Sequence, residues 1–170
     1  HLRPADGGAR EVEASVPVLR RLASAAASFG IVLAIENHAD VTAAQLAWLV
    51  EEVGSSHVAV CFDVANAVRV GDNPVDAART LAPFAVAAHV KDLAADAWHP
   101  RSGPTSVALG TGTMPLDEVL AELMAGGRDP WLLVELGHLG AGPVDELAII
   151  AHDVSWLRNR STPPAAGPPH

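Results

Sequence analysis

The chain has 170 residues, 49% of them hydrophobic, which suits one domain with a substantial core. Its 20 acidic side chains outnumber 11 basic ones for a net charge of −9, a balance that excludes the basic face nucleic acid requires. The lone cysteine, Cys61, excludes an internal disulfide and a cysteine-based zinc site, and no apolar run approaches the ~20 residues of a membrane span. The opening "HLRPADGGAR" lacks the apolar segment of a signal peptide, so a cytoplasmic protein is expected. Its first residue is His rather than Met, so the chain is read as starting inside a longer protein.

Residues 11–29 predict a helix, with Val16, Leu19, Leu22, Ala26 and Phe29 on one face and Gly30 after its end. "IVLAIE" (31–36) is a strand apolar on both sides, the mark of a parallel sheet. "TAAQ" (42–45) is a capping box, opening a helix on Leu46, Leu49, Val50 and Val53 that Gly54 ends. "HVAVCFD" (57–63) is the second strand. Asn73 and Pro74 then start a helix running to about Leu81. "FAVAAHVKD" (84–92) is the third strand, and 93–112 reads as a long loop. Thr113 is the expected cap of a helix carrying Leu116, Val119, Leu120 and Leu123, which Gly126 and Gly127 stop. "WLLVEL" (131–136) is the fourth strand. Pro143 opens a last helix with Val144, Leu147, Ile150, Val154 and Leu157 inward. The final "STPPAAGPPH" (161–170) is a Pro-rich tail expected to be disordered, leaving 1–160 as one domain.

Alternating helices and apolar strands predict an α/β fold with a parallel sheet. Two architectures fit: an open doubly wound sheet, or part of a (β/α)8 barrel, which needs eight strands where this chain has four. The four strands end alike, in Glu36, Asp63, His89 and Glu135. In parallel α/β folds, sites form at the carboxyl ends of the strands, so these four side chains are expected to converge. Alternation places Val32 and Ala34 on the face of Glu36, Ala59 and Cys61 on that of Asp63, and Ala85 and Ala87 on that of His89. On the fourth strand Trp131 and Leu133 share the face of Glu135. A single carboxylate at a strand end more often caps a helix or joins a loop ion pair. Four ligand-type residues in register are much rarer by chance. Three carboxylates with one imidazole suit a divalent metal, Mn²⁺ first, with Mg²⁺, Co²⁺ or Zn²⁺ as other choices.

In this order, "AIENH", "CFDVANA", "HVKD", "ALGTGTMPLDEVL" and "VELGH" resemble the xylose isomerase-like TIM-barrel superfamily, and within it the sugar phosphate isomerase/epimerase group. The resemblance runs from about residue 10 to 157. It implies the C-terminal half of a (β/α)8 barrel, about strands five to eight. It also implies a metal held by Glu36, Asp63, His89 and Glu135, with the two glutamates as the acid/base pair. Asn66 falls where many relatives place a substrate-touching His, and Asp92, beside the metal-binding His, is a further candidate substrate contact. Lys91, Arg69 and Arg101 are candidates to meet a phosphate or sugar oxygen. His38 and His138, each within three residues of a proposed ligand, divide between pocket and plain loop; His99 is a weaker candidate. His57 and His152 read as structural, and Cys61 as a small packing residue.

The expected activity is proton transfer through an enediolate in a sugar, sugar phosphate or polyol substrate, by a metal-dependent isomerase or epimerase. The expected partner is another chain or the missing N-terminal half; nucleic acid and membrane are excluded. The competing readings are an inosose dehydratase-like lyase, a non-catalytic or degraded metal-binding half-barrel, an apurinic endonuclease, which needs more His ligands and a basic face, and a nucleotide-binding doubly wound domain, for which "GTG" (110–112) is the only hint.

Overall fold

A computed structural model describes residues 8–99, 103–139 and 145–161. Its elements in chain order are α1 (Gly8–Phe29), β1 (Leu33–Glu36), α2 (Ala43–Val53), β2 (Val58–Asp63), α3 (Val64–Arg69) and α4 (Pro74–Leu81). There follow a 3₁₀ turn (Ala82–Phe84), β3 (Ala85–Val90), β4 (Asp92–His99), β5 (Gly103–Val107), α5 (Leu116–Ala125), β6 (Trp131–Val134) and α6 (Glu146–Ser161). Strands β1, β2, β3 and β6 form one sheet in that order, every pairing parallel. The alternating βα pattern thus gives the expected α/β sheet.

The helices cover one face of this sheet. Val58, Val60 and Phe62 of β2, with Ala88 and Val90 of β3, meet Leu46 and Leu49 of α2, Leu81 of α4, and Val119 and Leu123 of α5 in a single core. Each Leu or Phe buried there contributes about 1.5–3 kcal/mol of transfer free energy. The opposite face carries Glu36, Asp63 and His89, and it is open at both margins: Ala34 and Leu133 are exposed and Trp131 is 79% exposed. Ala85 is an exception to the alternation. The register shifts between Val60 and Cys61, so Ala85 pairs with Val60 and lies wholly buried in the helix-side core, not on the face of His89.

Capping chemistry accounts for several boundaries. Thr42 and Gln45 form the full capping box, and Gly54 closes α2 at φ +65°. Asn73 accepts from the Val75 and Asp76 amides to start α4. Elsewhere the expectations need correction. The stretch 93–112 is not a loop throughout: β4 and β5 pair as an antiparallel hairpin. Thr113 does not cap α5; its amide and hydroxyl both donate to the Leu93 carbonyl, and the helix begins behind Pro115 with no side-chain cap. The short helix α3 has no apolar period long enough to be read in advance.

On α1 the buried stripe is Val12, Val16, Ala23 and Ala26, while Leu22 and Phe29 are exposed. On α6, Leu157 is buried, but Leu147 and Ile150 are exposed. Asp145, through Oδ1, accepts from the Ala148 amide at the start of that helix. Pro143, Val144 and the tail from 162 onward lie outside the described residues. Among the described residues no helix is long and apolar enough to cross a membrane.

Candidate metal centre

Three registers set the site. Glu36 pairs with Cys61, Asp63 with His89, and the Glu135 amide, just past β6, donates to the Val90 carbonyl and extends the ladder by one step. The strand ends therefore stand side by side at one rim. One ligand atom from each of Glu36, Asp63, His89 and Glu135 lies within 4.8 Å of all the others.

Asn37, which the sequence reading passed over, completes the rim. Its side-chain amide donates to the Asp63 carbonyl at 2.9 Å, and its Oδ1 accepts from the Asp63 amide at 2.6 Å. A side chain thus mimics one more rung between β1 and β2, and Asn37 is buried. Asn in a strand-end apolar context was the available signal, since a buried amide needs both a donor and an acceptor partner.

Asp63 serves two purposes. Its Oδ1 accepts from the amides of Ala65 and Asn66, both at 2.9 Å, and so caps α3. Its Oδ2 points to the rim. The helix-cap and metal-ligand readings are therefore compatible, one oxygen each. His89 Nδ1 lies 2.8 Å from Glu135 Oε2, 3.4 Å from Glu36 Oε1 and 4.0 Å from Asp63 Oδ2. Asp63 Oδ2, His89 Nδ1 and Glu135 Oε2 are buried, and the polar groups nearest them are one another and Lys91. Three carboxylates and an imidazole that converge in a place shielded from water are a donor set that a divalent cation would satisfy.

Lys91 reaches the same place. Its Nζ lies 2.7 Å from Asp63 Oδ2 and 2.9 Å from Glu135 Oε1, and its side chain is 11% exposed. Burial alone would lower its pKa, but Asp63 and Glu135 outweigh that and hold it raised. Three carboxylates stand against one ammonium at the rim, an excess of negative charge that a divalent ion would offset. The donor set fits such an ion.

A cavity of about 320 Å³ opens over the rim, bounded by Glu36, His38, Asn66, Arg69, Lys91, Ser106, Glu135 and His138 among others. Asn66 donates to Glu36 Oε1 at 3.3 Å, and Arg69 donates to Asn66 Oδ1 at 3.1 Å, so the wall is linked to the rim. The hairpin forms another side: the Ser106 amide donates to the His138 carbonyl, and the Gly137 amide to Ser106 Oγ. A larger cavity of about 610 Å³ runs along β6 and α6, contains none of the four rim residues, and is lined mainly by apolar groups such as Trp131, Leu133 and Leu157. Convergent polar chemistry, not size, selects the site.

Asp92, expected as a substrate contact, bonds backbone amides in this structure. It is buried, and its two oxygens accept from the amides of Leu93, Gly110, Gly112 and Met114 at 2.9–3.0 Å. It anchors the "LGTG" segment, with no oxygen turned to the cavity over the rim. Arg101 and the side chain of His99 lie outside the described residues. His57 bonds the Ile31 carbonyl and His152 the Leu109 carbonyl, as structural residues do. Cys61 is buried on the face of Asp63, and its thiol is pushed up to about 11, by burial first and then by Glu36, Asp63 and Glu135.

The family model for the xylose isomerase-like TIM barrel matches residues 3–160, and the chain belongs to that family. Uncharacterized protein YihM of Escherichia coli (strain K12) is 31% identical over 100 residues, which are 59% of this chain and 31% of that protein. A xylose isomerase domain protein from Planctomyces limnophilus is similar in structure, at 27% identity and a TM-score of 0.65 over 85% of this chain and 50% of that one. An L-ribulose 3-epimerase shares the fold at 19% identity, with a TM-score of 0.70 over 94% of this chain and 55% of that one. The chain therefore spans about half the length of these solved structures and less than a third of the curated relative.

Proposed function

We propose that this chain carries the metal-dependent proton-transfer centre of an isomerase or epimerase acting on a sugar, sugar phosphate or polyol. One observation carries the reading. Glu36, on the first strand of the sheet, and Glu135, just past the last, flank Asp63 and His89, and all four meet within 4.8 Å. A divalent ion held by Glu36, Asp63, His89 and Glu135 would supply Lewis acidity toward the oxygens of a hydroxy-ketone.

The chain's own residues do the rest. One of the two glutamates removes a carbon-bound proton. The other returns a proton to the opposite face for epimerisation, or to the neighbouring carbon for isomerisation. Asn66 fixes Glu36 through Oε1. His38, Asn66 and Lys91 give the cavity polar walls suited to hydroxyl groups, and Arg69 stands behind Asn66. The structures that resemble this one include epimerases, and one with bound zinc and one with magnesium, which favours the reading without selecting the ion. The net charge of −9 weighs against a DNA-directed hydrolase.

In this reading the four parallel strands are the C-terminal half of a (β/α)8 barrel. The open inner face, with Trp131 and Ala34 exposed at its margins, is then the surface that further βα units cover, supplied by a longer chain or by another one.

The test is metal content after gel filtration, with Mn²⁺, Mg²⁺, Co²⁺ and Zn²⁺ offered in turn. One ion per chain, lost in Glu36→Gln, is expected, followed by exchange of carbon-bound hydrogen for deuterium in a panel of ketoses. Binding that survives Glu36→Gln would remove the quartet. Metal binding with no exchange on any ketose would favour a non-catalytic centre.

A further inference from the structure

We propose that Lys91 is a built-in counter-cation that competes with the divalent ion for Asp63 and Glu135. The inference rests on the metal reading above and adds a residue that works against tight metal binding.

Competition follows from the count of oxygens. Asp63 has already spent Oδ1 on the amides of Ala65 and Asn66, so Oδ2 is its only oxygen for an ion. The ammonium of Lys91 stands 2.7 Å from that same atom. Its second contact takes Oε1 of Glu135 and leaves Oε2 facing His89. Two cations that need one carboxylate oxygen repel each other at close range in a poorly solvated place.

The position of Lys91 is also determined by the fold. It follows β3 directly, two residues after His89, so alternation puts both side chains on the inner face. It cannot easily swing to solvent, because its side chain is 11% exposed and β4 begins at the next residue. Without Lys91, three carboxylates would converge with no cation among them, and their mutual repulsion would fall on the folded state. The lysine thus holds the rim together before the ion arrives and limits how tightly the ion is held afterwards.

The experiment titrates Mn²⁺ alone into the full chain by calorimetry and by the electron paramagnetic signal of free Mn²⁺, for wild type, Lys91→Met, Lys91→Gln, Lys91→Arg and Glu36→Gln. Melting temperatures are taken with the protein stripped of metal and again at saturating Mn²⁺. The Met and Gln variants are expected to bind Mn²⁺ at least about tenfold more tightly. They should melt several degrees lower without metal and regain the difference with it. Lys91→Arg, which keeps the charge, should stay within about threefold of wild type.

Equal or weaker binding in both neutral variants, with Glu36→Gln still losing the ion, would overturn the role of Lys91 and leave the metal centre standing. Absence of binding in wild type and every variant would remove the metal centre and this inference together. Neutral variants that stay unfolded even with Mn²⁺ would make Lys91 a plain structural cation and also overturn it.

Discussion

Replacing Asp92 by Asn separates a structural carboxylate from a substrate contact. Oδ1 of Asp92 accepts from Leu93 and Met114, and Oδ2 from Gly110 and Gly112. Asparagine keeps one acceptor oxygen and puts an NH₂ group where the other stood. Two backbone donors then lose their partner, at about 1–3 kcal/mol each. The two remaining bonds lose the assistance of the charge, which roughly halves them. The expected cost is about 3–5 kcal/mol, a large part of the ~5–15 kcal/mol that holds a domain of this kind together. Urea unfolding followed by circular dichroism, wild type against Asp92→Asn at pH 7, measures it. Mn²⁺ affinity of the folded variant should stay within about threefold of wild type, because Asp92 gives no atom to the rim. A stability loss under about 1 kcal/mol would refute the anchoring argument, and a lost Mn²⁺ site in a stable variant would give Asp92 a part in the metal site.

Two further outcomes follow from buried titratable groups. Cys61, with its thiol near 11, is about 1% thiolate at pH 9 where an ordinary thiol is about half ionised, so its reaction with a disulfide reagent should run roughly 50-fold slower in the native than in the guanidine-unfolded chain; equal rates would disprove its burial. Asp153 accepts from the Leu109 amide, and burial holds its carboxyl above the usual range in spite of that bond. A raised folded value means that stability is full below the ordinary carboxylate pKa and falls as pH rises through the folded one. Asp153→Asn, which keeps an acceptor oxygen, should therefore gain stability over wild type at pH 7 and little at pH 4; urea melts at both decide, and a gain that does not shrink at pH 4 would overturn the assignment.

Much of the molecule was legible in order. The strands are readable because apolar runs of four to six residues, too short for helices, recur at the spacing of βα units. The convergence of Glu36, Asp63, His89 and Glu135 was readable because parallel strands must all end on one rim. The capping box at Thr42 and the Asn73-Pro74 start rest on contacts only two or three residues apart, which local sequence encodes.

The features that were not legible share a cause. The Pro and Gly content of β4 and β5 disguises their hairpin, and Thr113 has the look of a cap because its partner, the Leu93 carbonyl, is 20 residues away. Phe29, Leu147 and Ile150 have the spacing of buried residues, yet they face out, because burial depends on what stands opposite and periodicity records only one side. Ala85 was misplaced by a shift of register that alternation cannot express.

By itself, then, the sequence determined the alternating parallel architecture and the four side chains at its rim, since both follow from short-range period and from strand direction. Only the tertiary structure decided that Asp63 divides its two oxygens between a helix cap and the rim, that Asn37 adds a rung to the ladder, that Lys91 enters the rim, and that Asp92 holds the "LGTG" segment. Each of those is a choice of partner among groups far apart in the chain, and it is settled by which buried polar atoms the fold brings within hydrogen-bond reach.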